Sequence, residues 1–167
     1  MDGISGENIL IVYYSRTGTA RTVAEKLGER LGCAVEYVTY AKGKPSPSFL
    51  RVLYEAVTRR SCEIKGDSGG YSKYGRVIVV SPVWASGLAT PMRSFMKKHA
   101  AEIGSYAFIS VSQGNSLAEE DATASAGKPP DKSAMLLSET VKNGEVDFDS
   151  LATLAEIEPP VAQGEAE

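Results

Sequence analysis

Four short segments of almost uninterrupted apolar residues constrain the fold of this chain most strongly. They cover residues 9–14, 77–80, 106–109 and 134–137. Unbroken apolar runs of this length are typical of strands that are buried on both faces of a parallel sheet. A fifth segment, 34–38, is apolar except for Glu36, as expected of a strand at the sheet edge. The sequence therefore predicts five strands.

Amphipathic patterns separate the strands and predict helices. After the first strand, apolar residues recur at helical spacing from Ala20 to Leu31, and Gly32 follows where a helix can end in a left-handed residue. Ser46-Pro47 and Thr90-Pro91 each join a capping residue to a first-turn proline, which predicts the starts of two further helices.

Two more helices are predicted near the end of the chain. One covers residues 117–126, where the apolar face is mainly alanine, and the other covers 148–157. Strands that alternate with helices predict an α/β fold, in which right-handed crossovers cover both faces of a parallel sheet.

Length and charge narrow the class of protein. A chain of 167 residues fits one domain, predicted over residues 1–158, with a disordered acidic tail at 159–167. The net charge of −3 disfavours a nucleic-acid partner or an anionic membrane. Cys33 and Cys62 form no disulfide framework, and no apolar run approaches the length of a membrane helix, so we expect a cytoplasmic location without membrane insertion.

The single histidine, His99, limits the hydrolytic chemistry open to the chain. Serine or cysteine hydrolases and histidine-rich metal sites would all depend on this one residue. It follows Met92, Phe95 and Met96 at helical spacing, which predicts a packed or surface residue without a catalytic role. No catalytic residue and no metal site are predicted.

The segment that follows the first strand has the composition of an anion site. It contains three hydroxyl residues and one glycine, and it runs directly into a helix: Ser15, Arg16, Thr17, Gly18, Thr19 and Ala20. Amides at a helix N-terminus point at a bound phosphate, hydroxyls donate further hydrogen bonds, and Gly18 permits close approach. The alternative is a capped helix start, for which serine and threonine are also common.

Missing motifs narrow the choice of phosphate. The chain has neither the glycine pattern of a dinucleotide site nor that of a nucleoside triphosphate site after its first strand, so a phosphate monoester remains.

The loop Ser15-Arg16-Thr17-Gly18-Thr19-Ala20 resembles the phosphate loop of flavodoxins, whose pattern is Ser/Thr-x-Thr-Gly-x-Thr. A second segment, Pro82-Val83-Trp84-Ala85-Ser86-Gly87, is similar to a Pro-Val-Trp-Ala-Gly loop of short bacterial flavodoxin-like proteins. This resemblance to short-chain flavodoxin-like proteins implies bound flavin mononucleotide (FMN). It also implies a three-layer α/β/α sandwich with strand order 2-1-3-4-5, in which the first and third strands flank the switch point.

The resemblance has two departures. Ala20 stands where the pattern has threonine, which removes a hydroxyl donor. Ser86 stands where the related loop often has glycine, so a left-handed backbone should be less accessible there.

Two further groups of residues are candidates for the flavin ring. Trp84 is the only tryptophan and is interpreted as a stacking plane, the alternative being an ordinary half-buried aromatic. After the fourth strand, Ser112, Gln113, Gly114 and Asn115 could meet the pyrimidine edge of the ring, unless they form only a surface turn. This loop offers no second aromatic residue.

Three functions remain open from the sequence. The first is an FMN-binding redox protein that exchanges electrons with a partner protein or a small acceptor. The second is an NAD(P)H-dependent reductase of quinone-type acceptors, and the third is a non-catalytic flavin-binding or regulatory module. Binding of another phosphate monoester is a weaker alternative, because Trp84 would then have no role.

Overall fold

The computed structural model describes residues 5–41, 61–114 and 117–157. The strands are β1 (Ile9–Tyr13), β2 (Ala34–Tyr37), β3 (Thr39–Tyr40), β4 (Ile64–Lys65), β5 (Arg76–Trp84), β6 (Gly87–Leu88), β7 (Tyr106–Ser112) and β8 (Lys132–Leu137). The helices are α1 (Thr19–Leu31), α2 (Thr90–His99), α3 (Glu119–Ala126), α4 (Ser138–Lys142) and α5 (Phe148–Ala152). Three short 3₁₀ turns lie at Gly6–Asn8, Tyr71–Lys73 and Thr153–Ala155.

The main sheet confirms the predicted topology. Its parallel strands follow the order β2-β1-β5-β7-β8, which is the order 2-1-3-4-5 of the five predicted strands. Two small antiparallel pairs are added to it, β3 with β4 and β5 with β6. Because β2 and β5 lie on opposite sides of β1, the order of the strands reverses between β1 and β5.

Side chains from the two faces of the sheet enter two apolar layers. In β1, Leu10 and Val12 face the layer that contains Met92 and Phe95 of α2, whereas the alternate residues face α1. This alternation is what strands covered on both faces require. The result is the predicted α/β/α sandwich.

The helix predictions on described residues hold with three differences, the first being that the helix predicted over 117–126 starts at Glu119 as α3. Gly32 ends α1 with φ +63°, and Thr90-Pro91 starts α2 as predicted. The segment 148–157 is α-helical only to Ala152 and continues as a 3₁₀ turn. Helix α4 was not predicted, because it is one turn long and buries only Val141.

Some predictions fall on residues that the structure leaves undescribed. These are the helix expected after Ser46-Pro47 and the acidic tail at 159–167. None of the helices in the described ranges combines the length and apolar character that a bilayer crossing requires.

His99 is a packed structural residue, as predicted, with 6% of its surface exposed. Its ring contacts Tyr71 at 4.7 Å between centroids, and its two nitrogens face carboxylates, Nε2 at 2.7 Å from Asp67 and Nδ1 at 2.5 Å from Glu102. Because carboxylates accept hydrogen bonds, the two contacts place a hydrogen-bond acceptor at each ring nitrogen. Lys98 also contacts Asp67, at 2.7 Å. These contacts fasten the glycine-rich loop before β5 to the end of α2.

Acid should weaken this fastening. Burial alone would raise the pKa of Asp67, but hydrogen bonds from Lys98 and His99 outweigh it and hold the pKa below its usual value. A carboxylate with a lowered folded pKa stabilises the protein above its unfolded pKa, and that contribution disappears as pH falls through the folded pKa. We therefore expect the free energy of unfolding to fall below about pH 4, and to fall less steeply in Asp67→Asn.

Urea denaturation between pH 3 and 6 measures this slope. Glu145→Gln removes one exposed carboxylate and is the control for the change in charge. Equal slopes for wild type and Asp67→Asn would contradict the assignment.

Candidate functional site

The carboxyl ends of β1 and β5 lie side by side and define the site. Tyr13 is the register partner of Val80, and the N–H of Tyr14 donates to the Val80 carbonyl at 3.4 Å. The chain then leaves β1 through residues 15–18, while β5 continues to Trp84. Ligands of open parallel sheets bind at such a switch point, beyond the strand ends. The structure therefore brings the two predicted cofactor segments to the same edge of the sheet.

The loop after β1 turns through a left-handed Gly18, the N-cap of α1, with φ +95°. Its N–H donates to Ser15 Oγ at 2.9 Å, and its carbonyl accepts hydrogen bonds from the N–H and Oγ1 of Thr22, both at 3.0 Å. A Cβ placed on Gly18 would meet nothing within 4 Å among the described residues. Among the described residues, nothing fills the space directly beside Gly18.

Within the part of the chain that the structure describes, no side chain caps the N-terminus of α1. The Ser15 hydroxyl is used inside the loop, and the Thr17 and Thr19 hydroxyls lie 3.3 Å from each other. The first amides of a helix lack intrahelical partners and carry the positive end of its dipole. The structure thus gives no side-chain cap to support the interpretation as a capped helix start, and the free amides suit an oxyanion.

The departure from the flavodoxin pattern at Ala20 has a local structural explanation. Ala20 is 2% exposed, and its methyl group packs in the apolar layer beneath α1. The side chain at this position therefore lies in the core, and only its backbone faces the loop. Arg16 is exposed on the loop.

A second cation, Arg21, lies beside the loop and was missed at the sequence level. Its Nε donates to the Tyr13 hydroxyl at 3.3 Å, and its guanidinium lies 5.5 Å from the centre of the Tyr37 ring. An arginine in the first turn after the glycine was the available signal. Arg21 also lies 3.8 Å from Glu25 Oε1, so its charge is shared between this carboxylate and the loop region.

The segment 82–87, expected to be a loop, is a β-hairpin. Val83 pairs with Leu88 and Trp84 with Gly87, which leaves a two-residue turn at Ala85 and Ser86. Both turn residues have positive φ, +48° and +61°. Two-residue hairpins favour such turns because their twist matches that of the strands. Serine therefore does adopt the left-handed backbone here, at a cost of about 1–2 kcal/mol per residue.

Trp84 is half-buried at the end of β5, and its ring packs against the ring of Tyr14. Tyr14 lies 5.6 Å away between centroids at an interplanar angle of 89°. Tyr14 is fully buried and also contacts Tyr37 at 6.4 Å and Tyr40 at 6.0 Å. This cluster of aromatic rings was not predicted, although tyrosines at the ends of successive strands could have indicated it.

The loop after β7 is only partly described. The Ser112 hydroxyl is buried and accepts a hydrogen bond from the Gly114 N–H at 3.0 Å. Gln113 and Gly114 are exposed, and Asn115 lies outside the described residues. Ser112 thus shapes its own turn, while Gln113 and Gly114 are the parts of this loop open to a ligand.

Comparison with known proteins adds evidence on the fold. The chain matches no family model and no curated protein sequence. It is similar to a Lactobacillus acidophilus flavoprotein solved in complex with FMN, with 21% identity, a TM-score of 0.69, and coverage of 82% of this chain and 97% of that one. A candidate flavoprotein from Bacteroides eggerthii has 20% identity, a TM-score of 0.68, and coverage of 90% and 99%. A WrbA-like flavodoxin from Agrobacterium tumefaciens has 15% identity, a TM-score of 0.56, and coverage of 89% and 95%. These similarities show that the fold is flavodoxin-like.

Proposed function

We propose that this chain binds one FMN without a covalent bond and works as a redox protein. The observation that carries the proposal is that the left-handed Gly18 turn, which no described side chain caps, and the half-buried Trp84 share the sheet edge where the strand order reverses. The Lactobacillus acidophilus flavoprotein, solved with FMN, supports the choice of cofactor.

Each part of the site has a separate task. The amides of the α1 N-terminus, with the Thr17 and Thr19 hydroxyls, hold the phosphate, and Arg16 and Arg21 favour its negative charge. Trp84 provides an aromatic plane for the ring, and Gln113 and Gly114 supply polar groups at its edge. FMN supplies the electron-transfer chemistry when it is bound.

Electron exchange with a partner protein or a small acceptor is the reaction class we propose. A second candidate is NAD(P)H-dependent reduction of a quinone-type acceptor. It is favoured by the loop after β7, which has no aromatic side chain to cover the ring on that side. Oxidation of NADH or NADPH by the FMN-loaded protein in the presence of a quinone separates the two candidates, since an electron carrier alone would not sustain it.

Titration of the apoprotein with FMN tests the proposed function. Trp84 is the only tryptophan, so stacking of the flavin on it should quench the tryptophan fluorescence and saturate at one FMN per chain. Riboflavin lacks the phosphate and should bind at least about 100-fold more weakly, because several charge-assisted hydrogen bonds are missing. Trp84→Phe is the control, titrated by flavin fluorescence because it has no tryptophan, and it should keep the preference for FMN over riboflavin. Absence of saturable binding would overturn the proposal, and equal affinities would show that the loop after β1 does not hold the phosphate.

A further inference from the structure

A buried ion pair lies against the base of the Trp84 hairpin. Arg93 of α2 is 0% exposed and the side chain of Asp121 of α3 is 10% exposed, with 2.8 Å between Nη2 and Oδ2. A buried pair of this kind often adds little net stability compared with apolar residues of similar volume, because both charges lose their hydration. Its location is therefore more informative than its contribution to stability.

The ion pair binds both backbone polar groups of one hairpin residue. The Leu88 N–H donates to Asp121 Oδ2 at 2.7 Å, and Arg93 Nη2 donates to the Leu88 carbonyl at 3.0 Å. Leu88 is also the register partner of Val83. The two side chains thus take the place of a further strand beside β6, and they attach the hairpin to α2 and α3.

The hairpin needs such an attachment because its own turn is strained. Ala85 and Ser86 both hold positive φ, which alanine and serine rarely adopt. A cleft of about 470 Å³ behind the turn is lined by Ser86, Arg93 and Asp121 among others, so the tip has room to shift if its base is released. The Trp84 ring itself contacts Tyr14 at an interplanar angle of 89° and packs at the margin of the apolar layer that contains Tyr14.

We infer that Arg93 and Asp121 are positioning residues of the cofactor site, which hold Trp84 in the orientation that stacks on the flavin. The inference rests on the proposed function for its effect on FMN. Its effect on Trp84 itself does not depend on any ligand.

Asp121→Asn tests the inference, because asparagine keeps the shape and can still accept from Leu88 but loses the charged contact with Arg93. Acrylamide should quench Trp84 fluorescence more strongly in this apoprotein than in wild type, at a temperature where both are folded by circular dichroism. FMN should bind about tenfold more weakly. Competition by inorganic phosphate for the loop after β1 should not change. If Asp121→Asn does not fold, the same measurements can be made on Arg93→Lys, which keeps the positive charge but loses the planar guanidinium and its paired N–H donors.

The matched control is Asp131→Asn, which removes the carboxylate from another buried arginine, Arg76, at the opposite end of the sheet. It should lower stability without altering acrylamide quenching or FMN affinity. A double-mutant cycle with Trp84→Ala completes the design, because the loss of FMN affinity caused by Asp121→Asn should vanish when Trp84 is absent.

The outcomes separate the two proposals. Reduced stability of Asp121→Asn with unchanged quenching and unchanged FMN affinity would overturn the positioning role. If wild type fails to bind FMN, the proposed function is wrong, but the acrylamide measurement still decides whether the ion pair orders Trp84.

Discussion

Gly18→Val is expected to reduce FMN affinity by at least about 100-fold, which amounts to a loss of the binding site at ordinary concentrations. Gly18 has φ +95°, a backbone conformation that a β-branched residue cannot hold without severe strain. The turn would rearrange, and the amides and hydroxyls that face the phosphate would no longer converge. Each charge-assisted hydrogen bond lost costs about 1.5–3 kcal/mol.

The reason for this loss is conformational. A Cβ at Gly18 would contact nothing within 4 Å among the described residues, so a steric clash inside the protein is not the cause. Any clash would involve the ligand. Isothermal titration calorimetry with FMN gives the affinity, and far-UV circular dichroism confirms that the variant is folded.

Gly32→Val is the matched control for this variant. Gly32 ends the same helix, has φ +63°, and likewise has open space at its Cβ position among the described residues. The control should therefore suffer comparable backbone strain at the opposite end of α1 while retaining FMN affinity. If both variants lost affinity equally, the effect would come from a distorted α1, and the loop after β1 would not be the phosphate site.

The strands were predictable because burial on both faces leaves a continuous apolar run. Segment 9–14 and the other three apolar runs could be identified as strands from their own residues, without information on which segments they pack against. Helix α1 was equally clear, since its apolar spacing and Gly32 agree on where it ends. The loop after β1 could be singled out as a candidate anion site because the hydroxyls and Gly18 lie within a few residues of one another.

The hairpin was not predictable, because its cause is distant in the sequence. Ala85 and Ser86 lack the asparagine-glycine signal of a two-residue turn. What supports the turn is Asp121, which reaches Leu88 from 33 positions away. An arginine at position 93 is expected on the exposed side of a helix, and its burial is made acceptable by tertiary partners that include Asp121 and the Leu88 carbonyl.

The aromatic cluster around Tyr14 was missed for a similar reason. Tyr14 was included in the first strand as one more apolar residue, and the strand prediction says nothing about which rings it meets. The register that sets the ends of β1, β2 and β5 beside one another brings Tyr14, Tyr37 and Trp84 together. Long-range register, unlike strand location, is not encoded in local periodicity.

Arg76→Met should have the largest effect on stability, with a decrease of about 3 kcal/mol in the free energy of unfolding. The Arg76 side chain is 1% exposed, and its Nη1 donates to Ser105 at 2.7 Å and to Asp131 at 2.9 Å. Its Nη2 donates to the Glu156 carbonyl at 2.8 Å. The guanidinium thus joins the start of β5 to the segments before β7 and β8 and to the turn after α5. Methionine fills much of the volume but leaves these groups without their donor.

Arg30→Met is the control, because Arg30 also pairs with an aspartate, Asp149, at 2.7 Å, but the two side chains are 53% and 80% exposed. An exposed pair contributes less than about 1 kcal/mol, so urea denaturation should separate the two variants clearly. A decrease of similar size in both would mean that burial of Arg76 does not determine its contribution.

FMN affinity measured at 10 °C, where Arg76→Met is expected to remain folded, should stay at the wild-type value, because Arg76 lies at the amino end of the strands and the candidate site at their carboxyl end. Gly18→Val should show the reverse, lost binding in a folded protein, and only a site confined to the carboxyl edge of the sheet gives both results.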